Sequence, residues 1–295
     1  MTTKYEIHLD GVDASDLSLG VLRDLADLVV EGSSRAARLA AEGRSTARGT
    51  APPWLGESSD VRLVGLREGS LTLDVTARPL REFAPGIFPA VAGETAFDLL
   101  MSAVDDAFHG RRDSERLDLG MLQTLIKARS LFARGPSQLR ITRVNGGTVE
   151  LSEAAVAKFQ QLAAETPLPR VDRMVGLLDS LTMSTRTGLL KLDDGSSLKG
   201  NLAASVDLES LKRLLGLEVV VEGTVAFRPS GRPQRIEVDY VARAGARDLV
   251  WKRTPRGELG HEPLVLPSEG LDHSFGQWPG DEDDEQVFAA LRELA

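Results

Sequence analysis

Residues able to do chemistry are few in this 295-residue sequence and form no familiar constellation. The four histidines lie at positions 8, 109, 261 and 273, which is not the spacing of metal ligands, and the chain has no cysteine. Phosphate-binding GxxxxGKS/T loops, GxSxG nucleophile turns and HExxH zinc motifs are absent from it. His8 falls in an alternating run that is typical of a strand surface. The sequence therefore predicts a protein that is not an enzyme and uses no cofactor or metal. An enzyme whose site assembles from distant residues is the alternative.

Residues 281–285 are five consecutive acids, and carboxylate oxygens are the ligands that Mg²⁺ and Ca²⁺ prefer. The run lacks the alternating ligands and the glycine of a calcium loop. It stands directly before the amphipathic segment EQVFAALREL, so we expect the acids to cap this helix and to interact favourably with its dipole. No metal site is predicted at this run.

Basic residues form two groups that could contact phosphate. The first lies at the end of a long predicted helix and in the loop after it, where a solvated face with Glu31 and Glu42 is the alternative explanation. The second lies on or near three predicted strands in the second half of the chain. The candidate nucleic-acid-binding residues are Arg35, Arg38, Arg44, Arg48, Arg173, Arg186, Lys191 and Lys199.

Composition and charge restrict the class of protein to which this chain can belong. The hydrophobic fraction of 42% and the charged fraction of 27% are those of globular proteins, whereas aromatic residues supply only 5%. The net charge of -9 disfavours a dedicated nucleic-acid binder, since such proteins neutralise phosphates with a basic surface. The lack of cysteine and of any apolar run near the length of a membrane span leads us to expect a cytoplasmic protein without membrane contact.

Periodicity predicts an N-terminal α+β domain over residues 1–166. Residues 4–10 alternate as a strand does, and a long helix follows with Ser15 as its N-cap and Gly43 as its stop. Residues 44–59 are predicted to be a loop. Hairpins are expected around 68–69 and 145–146. Further helices are predicted at 95–109, 117–134 and 152–165.

A proline-bearing linker at 166–170 precedes a region with strand periodicity. Strands are predicted at 171–181, 187–193, 196–202, 217–229 and 232–243, with a helix at 206–216 before the fourth strand. This element order resembles the OB-fold superfamily. The resemblance implies a five-stranded barrel over residues 171–247 and a ligand face on its first three strands. Those strands contain no aromatic residue, and Phe227 and Tyr240 on the last two are expected in the core or at the rim.

Residues 248–274 are predicted to be a tether, and residues 275–295 a partner-binding tail with a short amphipathic helix. The tail carries Phe275, Trp278 and an apolar stripe that includes Phe288 and Leu291, which is more apolar surface than a free end should expose. The surface of the protein itself and a groove on a partner are the alternative covers for it.

The segment FGQWPGDEDDEQVFAALREL resembles the C-terminal ends of small bacterial antitoxins that pair with PIN-domain ribonuclease toxins. The resemblance implies a tail that binds and inhibits a PIN-type nuclease, with Arg292 approaching the carboxylates of the toxin. A nucleic-acid-binding accessory protein that uses the barrel is the alternative function. The toxin contacts that the resemblance implies are Phe275, Trp278, Gly280, Asp281, Glu282, Phe288, Leu291 and Arg292.

The change Trp278→Ala is expected to weaken capture of such a partner, because aromatic anchors contribute much of the binding free energy of an interface. The free energy of unfolding should change by less than about 0.5 kcal/mol, as for other surface substitutions. A pull-down from the native host and a thermal melt measure the two quantities. Equal losses of both would assign the tail to the fold of this chain.

Overall fold

The computed structural model describes residues 2–13, 17–47, 51–67, 71–88, 93–183 and 185–257. These residues belong to one compact unit, Met1–Leu259, and a second unit, Gly260–Ala295, lies outside the described residues. The protein belongs to the α+β class, with one antiparallel sheet beside helices and one closed barrel. The predicted domain boundary at residues 166–170 stays a prediction.

The first sheet has five antiparallel strands in the order β2-β3-β1-β4-β5. On its central strand Tyr5, Ile7 and Leu9 point into the core and alternate with partly exposed residues, which is why the predicted alternation at residues 4–10 is confirmed. The strands are β1 (Thr3–Asp10), β2 (Arg62–Arg67), β3 (Leu71–Ala77), β4 (Gln138–Arg143) and β5 (Thr148–Ser152).

Six helices belong with this sheet, and among the described residues no helix has the length and apolar character needed to cross a bilayer. Gly43 ends the first helix at a φ of 73°, as predicted. The predicted N-cap at Ser15 is wrong, because the hydroxyl of Ser18 accepts the capping hydrogen bond. The helices are α1 (Leu19–Glu42), α2 (Pro53–Ser58), α3 (Ala96–Phe108), α4 (Leu119–Ile126), α5 (Ala128–Phe132) and α6 (Glu153–Glu165).

The second half of the described chain forms a closed five-stranded barrel in the circular order β6-β7-β8-β10-β9, with β8 and β10 parallel and the other neighbours antiparallel. A short helix, α7 (Leu208–Lys212), precedes the fourth strand, so the predicted OB-like barrel is confirmed. Its core is aliphatic except for Phe227. The strands are β6 (Arg170–Thr182), β7 (Thr187–Lys191), β8 (Ser197–Leu202), β9 (Glu218–Phe227) and β10 (Pro233–Arg243).

Candidate nucleic-acid interface

The barrel is the basic part of an acidic chain. Residues 170–257 contain 15 Lys and Arg against 11 Asp and Glu, whereas the whole chain contains 35 against 44. Residues 258–295 alone carry ten acids and one base, so residues 1–257 balance at 34 of each sign. The negative net charge therefore belongs to the C-terminal segment, and it does not argue against phosphate binding by the barrel.

The face of β8, where OB folds commonly hold ligands, lies against the α+β region. The Lys199 ammonium donates to the carbonyl oxygen of Ala41 at 2.5 Å, where α1 ends. Burial lowers the pKa of Lys199, partly offset by the nearby carboxylate of Glu42. On the adjacent strand, Glu237 accepts from Arg44 at 3.0 Å and from Asn201 at 3.2 Å. This part of the β8 face is engaged within the molecule.

The loop between β9 and β10 is also engaged. Arg228 donates to the carbonyl oxygen of Asp113 at 2.9 Å and pairs with Glu115 at 3.1 Å. The backbone N–H of Ser230 donates to the carbonyl oxygen of Arg112 at 3.2 Å. The segment between α3 and α4 thus covers a loop that OB folds use for ligands.

The other predicted basic residues are mostly paired within the fold. Arg35 binds Glu31 at 2.7 Å and the carbonyl oxygen of Gly120 at 3.0 Å. Arg173 binds Asp248 at 3.2 Å. Arg186 donates to the carbonyl oxygens of Ala203 and Val206, at 2.5 and 2.7 Å, and so fixes the turn after β8.

Lys191 is exposed and makes no ion pair with a described residue. Arg38 is buried, with Glu42 at 3.8 Å as its ion-pair partner. Arg48 lies outside the described residues. The nucleic-acid role of the whole predicted set stays a prediction. The structure brings Arg38, Arg44 and Lys199 together around the Glu42 carboxylate, where they are engaged within the fold.

An aromatic residue on the outer wall of the barrel was not expected there. Tyr240 is 51% exposed, whereas Phe227 is buried in the core. Ile236 and Val238 point inward on β10, and simple alternation would place Tyr240 inward too. The register shifts between Val238 and Tyr240, and the extra residue of this bulge turns the tyrosine outward. No sequence signal marks the bulge, apart from the unfavourable burial of a tyrosine in a narrow barrel.

Tyr240 stands in a cross-strand row with Glu222 and Arg173 on the outside of β10, β9 and β6. In the next row, Val220 and Val175 are buried although they lie outside the core cluster of the barrel. A 3-10 helix, Ala246–Trp251, packs against β6 on this side, and its Asp248 carboxylate holds Arg173. The helix therefore contacts the cross-strand row of Tyr240 at Arg173, two strands away from the tyrosine.

Two arginines without acidic partners among the described residues follow Tyr240 along the chain. Arg243 and Arg247 are exposed, and Arg243 pairs with the inward-facing Val219, so it lies at the end of β10 on the other side of the strand from Tyr240. The Arg253 guanidinium lies 6.0 Å from the ring centroid of the half-buried Trp251. We define the Tyr240 surface as Tyr240 together with four residues that follow it in the chain: Arg243, Arg247, Trp251 and Arg253. Aromatic rings beside arginines are the elements of a base-stacking platform.

A second charged region is a cleft of about 490 Å³ beside α3. Burial and the neighbouring Asp98 raise the pKa of Glu94 in this cleft, against the effect of Arg116 and Arg143. Arg143 pairs with Asp98 at 3.4 Å and Arg116 with Asp106 at 3.3 Å. These pairs fix the surrounding segments, and within the described ranges no group of His, Asp and Glu side chains could hold a metal ion.

The predicted toxin contacts all lie outside the described residues, as does the acidic run at 281–285. The PIN-type partner, the cytoplasmic location and the absence of enzyme activity therefore stay predictions.

Comparison with known proteins gives little further information. No family model matches the chain, and no curated protein matches it. Among solved structures, replication protein A of U. maydis bound to single-stranded DNA is similar at 17% identity, with a TM-score of 0.20, over 30% of this chain and 70% of that one. The topology of the barrel is defined by the strand pairing of this chain and not by that similarity.

Proposed function

We propose that the barrel binds single-stranded nucleic acid through the Tyr240 surface. The observation that carries this proposal is the exposure of Tyr240 on the outer wall of a net-basic OB-like barrel, in a segment whose Arg243 and Arg247 have no acidic partner among the described residues. Single-strand binding combines a positively charged track for phosphates with aromatic faces on which bases stack. The Tyr240 surface provides both elements.

The position of the surface follows from the intramolecular contacts of the barrel. Lys199 and the loop after β9 are engaged by the α+β region, so the usual ligand face on β8 is obstructed. The outside of β6, β9 and β10 is adjacent to it and open at Tyr240 and Val171. A strand of nucleic acid would stack on Tyr240 and Trp251, with Arg243 and Arg247 near its phosphates.

Fluorescence anisotropy with a labelled oligo-dT or oligo-U tests this proposal on the full chain. Tyr240→Ala is expected to weaken binding by about 5- to 150-fold, the equivalent of one to three kcal/mol for a lost base stack. The double change Arg243→Gln and Arg247→Gln should reduce the slope of log affinity against log salt by about 1.4, which is two phosphate contacts on a single strand.

Matched controls lie in the α+β region, outside the barrel. Phe108→Ala removes a partly exposed ring from α3, and Arg81→Gln removes an exposed arginine of the α+β region. Both should leave affinity unchanged. Equal affinity of the Tyr240→Ala variant and the unmodified protein would overturn the proposed surface, and the absence of salt-dependent binding would overturn the function.

The antitoxin resemblance of the tail supports a second role, the inhibition of a PIN-type nuclease. Its support is the sequence of residues 275–295 and the ten acids to one base of residues 258–295, a charge that suits a basic partner surface. A chain that ends at Gly270 should fail to retain a small nuclease that the full chain captures, while it keeps its affinity for oligonucleotides. The two roles are thus separable in one experiment.

A further inference from the structure

Two exposed carboxylates stand beside the ring of Tyr240. Glu222 on β9 is the residue directly opposite Tyr240, and it points outward because the next residue, Val221, lies in the core of the barrel. Side chains of directly opposed residues share one face of the sheet, with Cβ atoms about 4.5 to 5.5 Å apart. Asp239 is the extra residue of the bulge and precedes Tyr240 in the chain. Both acids are exposed.

Neither acid is engaged within the part of the chain that the structure describes. Glu222 and Asp239 make no hydrogen bond or ion pair with a described residue. Arg173 lies opposite Glu222 on β6, but its guanidinium binds Asp248 at 3.2 Å. The carboxylate oxygens of Glu222 are therefore available to the hydrogen-bond donors of a ligand that covers the tyrosine ring.

These charges determine which part of a nucleotide can lie over Tyr240. Two carboxylates repel a phosphate, so the phosphates of a bound strand would lie away from the ring. A base has no net charge and carries hydrogen-bond donors on its edge. A base that stacks on Tyr240 would therefore present its edge to Glu222, the residue opposite the ring.

The four kinds of base differ in what they offer a carboxylate. Guanine has two adjacent donors on its Watson–Crick edge, the N1–H and the N2 amino group, which match the two oxygens of a carboxylate. Adenine and cytosine have one amino group beside an acceptor nitrogen, and thymine and uracil have one N–H between two carbonyl oxygens. Hydrogen bonds to an ionised group are stronger than neutral ones, and a bidentate pair adds geometric specificity.

We infer that Glu222 makes the Tyr240 surface selective for guanine: the base stacks on Tyr240, and its N1–H and N2 amino group donate to the Glu222 carboxylate. This inference rests on the proposed function. It adds base selectivity to a surface that stacking alone would leave tolerant of sequence. Single-stranded nucleic acids are commonly read in this way, by stacking together with hydrogen bonds to the Watson–Crick edge.

Fluorescence anisotropy of the full chain tests the selectivity with labelled five-nucleotide DNAs of thymidine whose central base is guanine, hypoxanthine or thymine. The guanine DNA should bind at least about fivefold more tightly than the thymine DNA, the lower end for a bidentate base contact. Hypoxanthine lacks only the N2 amino group of guanine. Its DNA should bind about threefold more weakly than the guanine DNA, because one hydrogen bond is lost.

Glu222→Gln should change the affinities for two of these DNAs in opposite directions. The affinity for the guanine DNA should fall, and the ratio of guanine to thymine affinity should fall at least about threefold. The affinity for the thymine DNA should stay equal or rise, since a negative charge near the phosphates is removed. Glu57→Gln removes the same charge from an exposed position on α2 and should leave the ratio unchanged.

The failure of this inference differs from the failure of the proposed function. Equal affinities for the three DNAs, together with weaker binding by Tyr240→Ala, would contradict the guanine selectivity and leave the binding function. A guanine preference that persists in Glu222→Gln would contradict the role of Glu222. If none of the three DNAs binds to the unmodified protein, both the function and the inference are wrong.

Discussion

Replacing Gly223 by alanine is expected to lower the free energy of unfolding by about 3 to 5 kcal/mol, more than overpacking usually costs. A Cβ atom at this position would lie 1.9 Å from the carbonyl oxygen of Glu237 and 3.0 Å from the Cα atom of Val238. Both obstacles are backbone atoms of the paired strand, so no side-chain rotation relieves the clash. The alanine can be accommodated only if β9 and β10 separate at the bulge.

Gly188→Ala is the matched control, because it adds the same methyl group to β7 of the same barrel. Its Cβ atom would lie 3.4 Å from the carbonyl oxygen of Ser180, which is an ordinary contact. We expect a change below about 1 kcal/mol. Urea unfolding followed by circular dichroism gives both values, and hydrogen exchange of the Val221 and Ile236 amides locates the loss. Equal free energies of unfolding for the two variants would show that β10 can move away from residue 223 at little energetic cost.

The close approach at Gly223 exists because of the bulge at Asp239, and the same bulge turns Tyr240 outward. The same bulge therefore determines both the stability of the barrel at Gly223 and the exposure of Tyr240. The residue that permits the bulge would not itself contact nucleic acid, yet the proposed stacking surface depends on it. Loss of oligonucleotide binding in a folded Gly223→Ala variant would therefore follow from a tyrosine that has turned inward.

Much of the fold was predictable because its signals are local. Asn145 takes a φ of 63° in the turn of its hairpin, and Gly43 ends α1 in the left-handed region. The five strands of the barrel lie within about two residues of their predicted ends, since apolar alternation and the glycine turns mark them. These features depend on residues that are neighbours in the sequence.

Errors arise where the structure depends on residues far apart. The helix predicted at 117–134 is divided into α4 and α5 at Lys127, without a glycine or proline to indicate it. The predicted loop at 44–59 contains α2. Lys199 meets the carbonyl oxygen of Ala41 across 158 positions of sequence. A count of basic residues cannot show which of them have such partners. The Tyr240 surface was missed because the bulge that turns this tyrosine outward leaves no signal in the sequence.

Asp106→Asn is the second substitution with a large expected effect, because this buried carboxylate organises the segment between α3 and α4. Its side chain is 4% exposed. It accepts hydrogen bonds from Arg111 and Ser114, both at 2.5 Å, and from Arg116 at 3.3 Å. Asparagine keeps the shape but loses the charge that the two guanidinium groups bind. We expect the free energy of unfolding to fall by about 2 to 3 kcal/mol at pH 7. The loss is no larger because the arginines are half exposed and water can hydrate them in the variant.

The effect should depend on pH in a defined direction. Burial alone would raise the pKa of Asp106, but the hydrogen bonds from Ser114, Arg111 and Arg116 outweigh it and hold the pKa below its ordinary value of 3.8. A carboxyl with a depressed folded pKa contributes stability that is present above its unfolded pKa and is lost as pH falls through the folded value. The difference in unfolding free energy between the unmodified protein and the variant should therefore shrink below pH 3.8.

Asp105→Asn is the control, since Asp105 is 38% exposed and also binds Arg111, at 2.9 Å. Its loss should stay below about 1 kcal/mol, as for other surface ion pairs. The two variants should also differ in their effect on the barrel. The Ser230 amide of the barrel donates to the carbonyl oxygen of Arg112, so its hydrogen exchange should accelerate in Asp106→Asn and not in Asp105→Asn. Equal exchange in both variants would mean that the segment holds the barrel loop without Asp106, and that the carboxylate stabilises only its own turn.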